Sequence, residues 1–377
     1  MKKGVLESAG SRDEHRADGS SGAGALVCDW LGEAELALWD RLVEQHERGV
    51  VYQTSHWQRV LETAFPHIQG KILALRRPGT GEMVGGLPVY EVRSWILGQR
   101  RVSIPYASIC DPLVSSRAEI EQLLAGLKGG GGRGLEGGVE LRTWRTPAEF
   151  YPDTPVVDRA LHHVVDLAPG PDDIYRRLSR TAVRRMVTKG AKAGIQVVEG
   201  RSVAEWQEFY RLLTASRRCL GLPALPAKFF DAIRLRLPEA NRVLYLAMRE
   251  GRPVAGALSL KSRQVFILEY SGEENLGNGT GAGQMVYWES MRRACADGCR
   301  WFSFGRTSMD NTGLAAYKRH WATTEEELVS FGPGLPQTSR KSMAGSSKTR
   351  QLIGALSRHA PAALYHLFSD FCYRHWG

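Results

Sequence analysis

Apolar residues recur with a helical or a strand-like period along most of the chain after residue 24. The helical period predicts helices at 33–46 and 55–65, with Ser55 as the N-cap of the second helix. Two strand-like runs follow, KILALRR and MVGGLPVYEV, separated by a Pro-Gly-Thr-Gly turn. The first half is therefore predicted to contain helices followed by an antiparallel hairpin.

The second half combines the same two periods. A long basic helix is predicted at 174–194, then a short strand, then helices at 203–220 and 226–237. Three strands are predicted next, RVLYLAMRE, VAGALSLKS and QVFILEYSG. A glycine-rich loop, a helix QMVYWESMRRACADG and a strand CRWFSFG follow them. Helices and strands mixed in this order indicate an α/β fold with α+β layering and mixed sheets.

The two halves share a pattern. LALRRPGTGEMVGGLPV and LAMREGRPVAGALSL both contain Leu-Ala-x-Arg, a turn and a Gly-x-x-Val step, and a Trp-Gln pair lies upstream of each. A duplicated domain explains this, although an ordinary strand–turn–strand hairpin is the alternative.

We predict a disordered leader at 1–24, a first domain at 25–168 closed by the strand HHVVDL, a second domain at 169–332, and a linker with an amphipathic helical tail at 333–377.

Composition restricts the class of protein. The 377 residues carry a net charge of +10, which suits a phosphate-rich partner if the charge is clustered. The six cysteines are scattered and the histidines have no ligand spacing, so we expect reduced thiols and no metal. The N-terminal stretch lacks the apolar core of a signal peptide, and no later stretch reaches the roughly 18 apolar residues of a membrane span. We therefore expect a cytoplasmic protein.

Two segments have the chemistry to bind phosphate. Gly277, Gly279, Gly281 and Gly283 precede a predicted helix, whose free backbone N–H groups favour anions. A flexible connection explains these glycines equally well. In the basic helix, Arg177, Arg180 and Arg184 recur at i, i+3 and i+7, and would share one face suited to a diphosphate or an RNA backbone. A solvated charged face is the alternative.

The run CRWFSFGRTSMDNTGLAAYKRHWATTEEEL resembles the C-terminal motif of FemAB-like proteins, the peptidoglycan-bridge aminoacyltransferases and their relatives. Ser303 and Ala322 stand where that family usually has Asp and Gly. SHWQRVLETAF, GGLPVYEV and IPYASICDPLV extend the resemblance over residues 50–332. It implies two tandem GNAT-like domains, with the glycine loop where that fold holds the coenzyme A pyrophosphate. The matching motif positions are Phe302, Phe304, Gly305, Arg306, Gly313, Leu314, Tyr317, Lys318 and Trp321.

The resemblance also implies roles. Lys318 would lie near the reacting carbonyl and, with Arg306, stabilise an oxyanion and phosphates. Asp111 would bind or deprotonate the acceptor amine, with a turn cap before Pro112 as the alternative. The residues expected to contact substrate are Tyr106, Arg177, Arg180, Arg184, Glu269, Tyr270 and Tyr317, and the expected phosphate loop is Gly277, Gly279, Gly281 and Gly283.

Three functions follow from these features. The first is a FemAB-type N-acyltransferase that moves an aminoacyl group from aminoacyl-tRNA, as co-substrate, to an amine of a cell-wall precursor or small metabolite, with no bound cofactor. The second is a GNAT acyltransferase that uses acetyl-CoA or another acyl-CoA, and the third is a non-catalytic module that binds a nucleotide-linked glycan. We expect the C-terminal tail to pack on the body, with peripheral membrane contact as the alternative.

Overall fold

The computed structural model describes residues 26–96, 98–129, 138–274, 279–335 and 347–376, so the predicted leader lies outside the described residues. The strands are β1 Val27–Trp30, β2 Ile68–Arg76, β3 Met83–Ser94, β4 Gly98–Val102, β5 Val139–Thr143, β6 Val156–Asp166, β7 Gln196–Glu199, β8 Arg242–Arg249, β9 Arg252–Lys261, β10 Val265–Glu273, β11 Trp301–Ser308 and β12 Thr324–Phe331. The helices are α1 Leu36–Gln45, α2 Ser55–Ala64, α3 Arg117–Gly129, α4 Pro171–Arg177, α5 Arg185–Lys192, α6 Val203–Cys219, α7 Ala227–Arg236, α8 Ala282–Ala296, α9 Thr312–Arg319, α10 Ser347–His359 and α11 Ala362–Trp376.

These strands form one mixed sheet in the order β1-β2-β3-β4-β5-β12-β6-β11-β10-β9-β8-β7. Strand β6, which contains the segment expected to close the first domain, pairs antiparallel with β11 and β12 from the second half. Strand β12 in turn pairs with β5. The sheet is therefore continuous between the halves, and the division into domains at residue 168 stays a prediction.

The hydrophobic core also crosses from one half to the other. Trp57 on α2 is fully buried, and its ring packs edge-on against Phe229 of α7 at 5.9 Å between centroids. The N-cap of α2 is Thr54, whose hydroxyl accepts from the backbone N–H of Trp57, and not Ser55 as expected. The Ser55 hydroxyl donates to Asp40 instead, at 2.6 Å, and ties α2 to α1.

The acidic strand β12 has no hydrophobic alternation that predicts a strand. It lies in the sheet because its carboxylates pair with basic and polar side chains of neighbouring elements. His163 Nε2 lies 2.8 Å from Glu325, the indole N–H of Trp144 donates to Glu326, and Arg159 pairs with Glu327 at 2.6 Å. Local periodicity failed here because tertiary partners decide the conformation.

The C-terminal helices pack on the body. Tyr365 and His375 are buried, and His375 Nδ1 lies 2.9 Å from the Ser94 hydroxyl on β3. The outer face of α11 leaves Leu367 with 67% of its surface exposed. Within the described ranges, no helix combines the length and the apolar character that crossing a membrane requires.

Candidate active site

A cavity lies where two neighbouring strands of the sheet separate. Strands β10 and β11 run parallel for three residue pairs only, from Val265 opposite Trp301 to Ile267 opposite Ser303. Beyond these pairs the strands diverge and leave a cavity of about 420 Å³. Its wall includes Leu268, Glu269, Tyr270 and Ser271 of β10, Phe304 and Arg306 of β11, Tyr317 and Lys318 of α9, Tyr287 of α8, Ser216 and Arg217 of α6, and Tyr106 and Tyr373.

Glu269 enters the cavity from a β-bulge. The register of β10 with β9 shifts between Leu268 and Tyr270, so Glu269 has no partner in the ladder and its side chain is redirected. The hydroxyl of Tyr52 donates to its carboxylate at 2.6 Å. Burial raises the pKa of Glu269, while the Tyr52 hydrogen bond and the charge of Lys318 act in the opposite direction. The site therefore contains a carboxylate of increased basicity.

Lys318 lines the same cavity from α9, a helix that begins at a capped residue. The Asn311 side chain accepts from the backbone N–H of Leu314 and so begins α9. The Lys318 ammonium donates to the carbonyls of Gly305 and Arg306 at 3.1 and 3.2 Å. An ammonium group has three N–H donors, so one remains for a ligand in the cavity. Burial lowers the pKa of Lys318 to about 8, although the nearby Glu269 raises it.

Part of the wall comes from the C-terminal tail. Tyr373 on α11 lines the cavity, and its hydroxyl accepts from Arg217 Nη2 at 3.0 Å. Tyr106 has a left-handed backbone with φ +58°, and its hydroxyl donates to the Tyr373 carbonyl. The structure therefore brings Tyr106 into the cavity as expected. Nothing in the sequence pointed to Tyr373, because the family resemblance ends before the tail.

Comparison with known proteins adds to this geometry. Residues 177–319 match the family model of the GNAT acetyltransferase domain. The crystal structure of FemX has a TM-score of 0.67 at 12% identity, and the match covers 86% of this chain and 100% of FemX. A conserved protein of unknown function from Bacteroides thetaiotaomicron has a TM-score of 0.57 at 8% identity, over 81% of this chain and 99% of that one.

A sequence relative agrees with the structural ones. The UDP-N-acetylmuramoylpentapeptide-lysine N(6)-alanyltransferase of Weissella viridescens is 23% identical over 162 residues. The match covers 42% of this chain and 47% of the relative, or about half of the relative's length. The chain therefore contains a GNAT domain at residues 177–319 and is similar to FemAB-like proteins in sequence and in fold. The predicted α/β class with tandem GNAT-like architecture is confirmed.

Three more of the expected residues lie at the same cavity. Tyr270 follows Glu269, and its buried hydroxyl has no hydrogen-bond partner among the described residues. Burial raises the pKa of the Tyr317 phenol, which keeps that group neutral. Arg306 is exposed at the edge of the cavity and pairs with Asp158 at 2.7 Å. A guanidinium there can reach a ligand that enters from solvent.

Asp111 is not brought into this cavity. Its buried carboxylate accepts from the backbone N–H groups of Trp144, Arg145 and Thr146, at 2.7 to 3.1 Å. The Thr146 hydroxyl donates at 2.7 Å to Oδ1, the oxygen that also accepts from all three amides. A carboxylate that holds a turn through four donors is committed to structure. We therefore assign Asp111 to the turn and not to proton transfer.

The basic segment is not one helix. Leu178 and Ser179 have extended ψ values of 145° and 123°, which end α4 at Arg177. Ser179 then caps a π-helical turn at Arg180–Arg184 that runs into α5. Arg177 therefore lies on a different helix from Arg184, and the expected common face is wrong. Arg177 and Arg180 are exposed, whereas Arg184 is half-buried.

The glycine loop is only partly described, and Gly277 lies outside the described residues. Gly281 has φ +87° and ends the loop at the start of α8, where a Cβ would lie 2.1 Å from the Met186 carbonyl oxygen. Gly279 also has a positive φ, and its carbonyl accepts from Lys189 at 2.6 Å. The loop therefore packs against the basic helix α5.

A carboxylate of the chain itself lies at the start of α8. A Cβ on Gly283 would be 2.9 Å from Glu273 Oε2, and the Thr280 hydroxyl donates to Glu273 Oε1 at 3.3 Å. Burial raises the pKa of Glu273, although the hydrogen bonds from the Thr280 hydroxyl and the Gly283 backbone N–H act in the opposite direction. The anion-favouring helix N-terminus is thus already in contact with an internal acid.

Proposed function

We propose that this protein is an aminoacyltransferase that moves an aminoacyl group from aminoacyl-tRNA to a primary amine of a cell-wall precursor or small metabolite. The observation that carries the proposal is that Lys318 and Glu269 line the same cavity, at the split between β10 and β11. A buried ammonium and a basic carboxylate are the two groups that attack of an amine on an ester requires.

The chemistry assigns a role to each group. Glu269 accepts a proton from the acceptor's ammonium group, and the free amine attacks the ester carbonyl. The Lys318 N–H that is not bound to the carbonyls of Gly305 and Arg306 stabilises the negative charge on the carbonyl oxygen of the ester. The C–N bond forms and the C–O bond to the tRNA ribose breaks, and the ribose oxygen leaves with the second proton, which the attacking nitrogen loses as it becomes an amide. The Tyr270 hydroxyl, which has no partner among the described residues, can donate to the acceptor, and the Tyr106 hydroxyl oxygen, whose proton goes to the Tyr373 carbonyl, can accept from it.

The donor is the point at which the two enzymatic hypotheses differ. An acyl-CoA enzyme of this fold would hold pyrophosphate at the N-terminus of α8, according to the resemblance described above. Glu273 lies at that place, and a second negative charge beside it is unfavourable. This supports an aminoacyl ester over acyl-CoA.

The basic segment supports the same donor. Arg177 and Arg180 are exposed, and Lys189 and Lys192 continue the positive surface along α5 toward the glycine loop. A polyanion such as tRNA gains affinity from each phosphate that such side chains neutralise. The name of the Weissella viridescens relative states that it transfers alanine to a lysine amine, which supports an amine as the acceptor here.

The location of the protein belongs to the same proposal. Aminoacyl-tRNA is a cytoplasmic molecule, so we propose that the reaction occurs in the cytoplasm. A peripheral membrane contact through the tail is a weaker proposal, supported only by the exposed side chains of Leu364, Leu367 and Trp95.

A donor-discharge assay tests the proposal. Purified protein is incubated with a pool of radiolabelled aminoacyl-tRNAs and an amine-bearing cell-wall precursor, and separately with acetyl-CoA and the same acceptor. We expect label to move only from tRNA, and Lys318→Ala to remove turnover while tRNA binding persists. Lys71→Ala, an exposed lysine on β2, is the matched control.

Other outcomes identify the other hypotheses. Saturable acetyl-CoA binding with acyl transfer and no tRNA affinity at low salt would establish the acyl-CoA enzyme. Binding of a nucleotide-linked glycan without any transfer would establish the non-catalytic module. Full activity of Lys318→Ala contradicts the role given to this lysine in either enzyme.

A further inference from the structure

The carbonyls that hold Lys318 belong to a second β-bulge, on β11. Along β11 and β6, Ser303 is opposite Val164 and Arg306 is opposite His162, so two residues of β11 oppose one of β6. Gly305 lies inside the bulge with φ +67°, and its backbone N–H donates to the Ser303 hydroxyl at 3.0 Å. The serine thus satisfies an amide that the bulge removes from the ladder.

The serine is in turn held by a buried imidazole. His162 is fully buried, and its Nε2 lies 2.7 Å from Ser303 Oγ. Its ring packs edge-on against Trp144 at 4.5 Å between centroids, which fixes the orientation of the imidazole. Among the described residues Nδ1 has no hydrogen-bond partner.

The electrostatic surroundings keep this imidazole neutral. Burial, and then the positive charge of Lys318, hold the pKa of His162 well below its usual value. A neutral ring can support the bulge without placing a second positive charge beside the ammonium. The titratable and charged groups around Lys318 include His162 and His163 on β6, Glu269 and Tyr270 on β10, Arg306 on β11, Tyr287 on α8, Tyr317 on α9, Arg217 on α6, Tyr373 on α11 and Tyr106.

Successive hydrogen bonds connect the buried His162 to Ser303, Ser303 to the Gly305 amide, and the Gly305 carbonyl to Lys318 at the cavity. We propose that His162 and Ser303 are positioning residues, which fix the bulge whose two carbonyls hold Lys318 against the reacting carbonyl. Neither side chain lines the cavity, and both act through the backbone of Gly305 and Arg306. The inference rests on the proposed function only for the role of Lys318 in catalysis. The resemblance drew attention to position 303 because FemAB-like proteins usually have an acid there, and this serine–histidine pair supplies the support in this chain.

The first test needs no substrate. The pKa of Lys318 is measured by NMR titration of protein labelled with ¹³C-lysine, with the resonance assigned from Lys318→Arg. In Ser303→Ala we expect this pKa to fall, because the buried ammonium loses carbonyl acceptors that stabilise its charged form. Ser290→Ala removes an equally buried hydroxyl, which donates to a carbonyl within α8, and should leave the Lys318 pKa unchanged. An unchanged or raised pKa in Ser303→Ala overturns the proposal.

The second test separates the hydrogen bond from the packing of the ring. His162→Phe keeps an aromatic ring against Trp144 but loses the bond to Ser303, whereas His162→Gln keeps a polar nitrogen. We expect His162→Phe to lower the Lys318 pKa as Ser303→Ala does, and His162→Gln to stay closer to the wild type. Equal behaviour of the two His162 variants contradicts a role for the hydrogen bond.

Kinetics add a readout once a donor is established. Displacement of an oxyanion-stabilising group by about 1 Å lowers kcat about 100-fold. Ser303→Ala should therefore lower kcat with little change in KM, and Ser290→Ala should leave both constants unchanged. A kcat that stays at the wild-type level in a folded Ser303→Ala protein contradicts the proposal. If no acyl donor is found at all, the proposed function fails, while the NMR titration still decides the inference.

Discussion

At the scale of single residues, the site depends on the protonation of Lys318. Its pKa of about 8 lies below the ordinary value of 10.5, because burial disfavours the ammonium form. The ammonium is the form that stabilises an oxyanion, so we expect kcat/KM to fall as pH rises through about 8. Lys318→Arg keeps a charge that does not titrate in this range. Any activity that this variant retains should therefore lack the fall above a pH of about 8, which is the basic limb of the pH–rate profile. A limb that persists in Lys318→Arg would mean that another group titrates.

Glu269 sets the opposite limb of the same profile. Its carboxylate must be ionised to accept a proton, and burial raises its pKa, so activity should be lost on acidification at a higher pH than for an ordinary glutamate. Glu269→Gln removes the base and should lower kcat by about 100-fold or more.

Tyr52→Phe is the informative companion to Glu269→Gln. It removes the hydrogen bond that lowers the Glu269 pKa, so the acidic limb should move to higher pH while the maximal rate changes little. A pH–rate profile of both variants distinguishes a base from a carboxylate that only binds the acceptor.

At the scale of elements, the contact between the glycine loop and α5 depends on Gly281. Its φ of +87° is left-handed, and a Cβ would lie 2.1 Å from the Met186 carbonyl oxygen. Gly298 has a similar φ of +71° but open space around a Cβ, so Gly298→Ala isolates the backbone strain of about 1–2 kcal/mol. We expect Gly281→Ala to lower the free energy of unfolding by at least twice as much as Gly298→Ala, as measured by urea unfolding. Equal losses would mean that the loop shifts freely away from α5.

Elements with a local apolar pattern were predicted from the sequence, whereas those that depend on distant contacts were not. The hairpins β2–β3 and β8–β9 were predicted because their runs are continuous and apolar and each contains a turn, and these properties are local. The break after Arg177 was missed because Leu178 and Ser179 are compatible with a helix. Only the docking of the chain, in which the Ser179 amide donates to the His320 carbonyl at 2.9 Å, gives them extended backbones.

The site residues divide in the same way. Lys318, Tyr317 and Arg306 lie in one contiguous motif, and the sequence predicted their place at the cavity. For Asp111 the sequence left two interpretations open, because Asp-Pro is equally typical of a turn and of a substrate contact, and only the folded chain shows the contacts with the turn. His162 and Tyr373 act through partners that are more than 100 residues away in the chain, so no local pattern indicated them.

At the scale of the whole molecule, the C-terminal tail completes the cavity. Tyr373 contributes its phenol and its carbonyl to contacts with Arg217 and Tyr106. Tyr373→Ala keeps the backbone carbonyl but removes the phenol, so it should raise KM for the acceptor about tenfold, as the loss of one hydrogen bond and of part of the cavity wall implies, with a smaller effect on kcat. Leu367→Ala, on the exposed face of the same helix, is the control and should leave both constants unchanged. Equal KM values for the two variants would mean that the tail only covers the site.

The position of β12 has a consequence for how the molecule is made. This strand joins β5 to β6, yet the ribosome delivers it more than 150 residues after either of them. Until it emerges, both earlier strands have an open edge, and contacts of such high sequence separation form slowly. Helix α9 with Lys318 lies between β11 and β12. The nascent chain thus gains its reactive cavity in the last stage of folding, so an interrupted translation product would lack acyl-transfer activity even with Lys318 already incorporated.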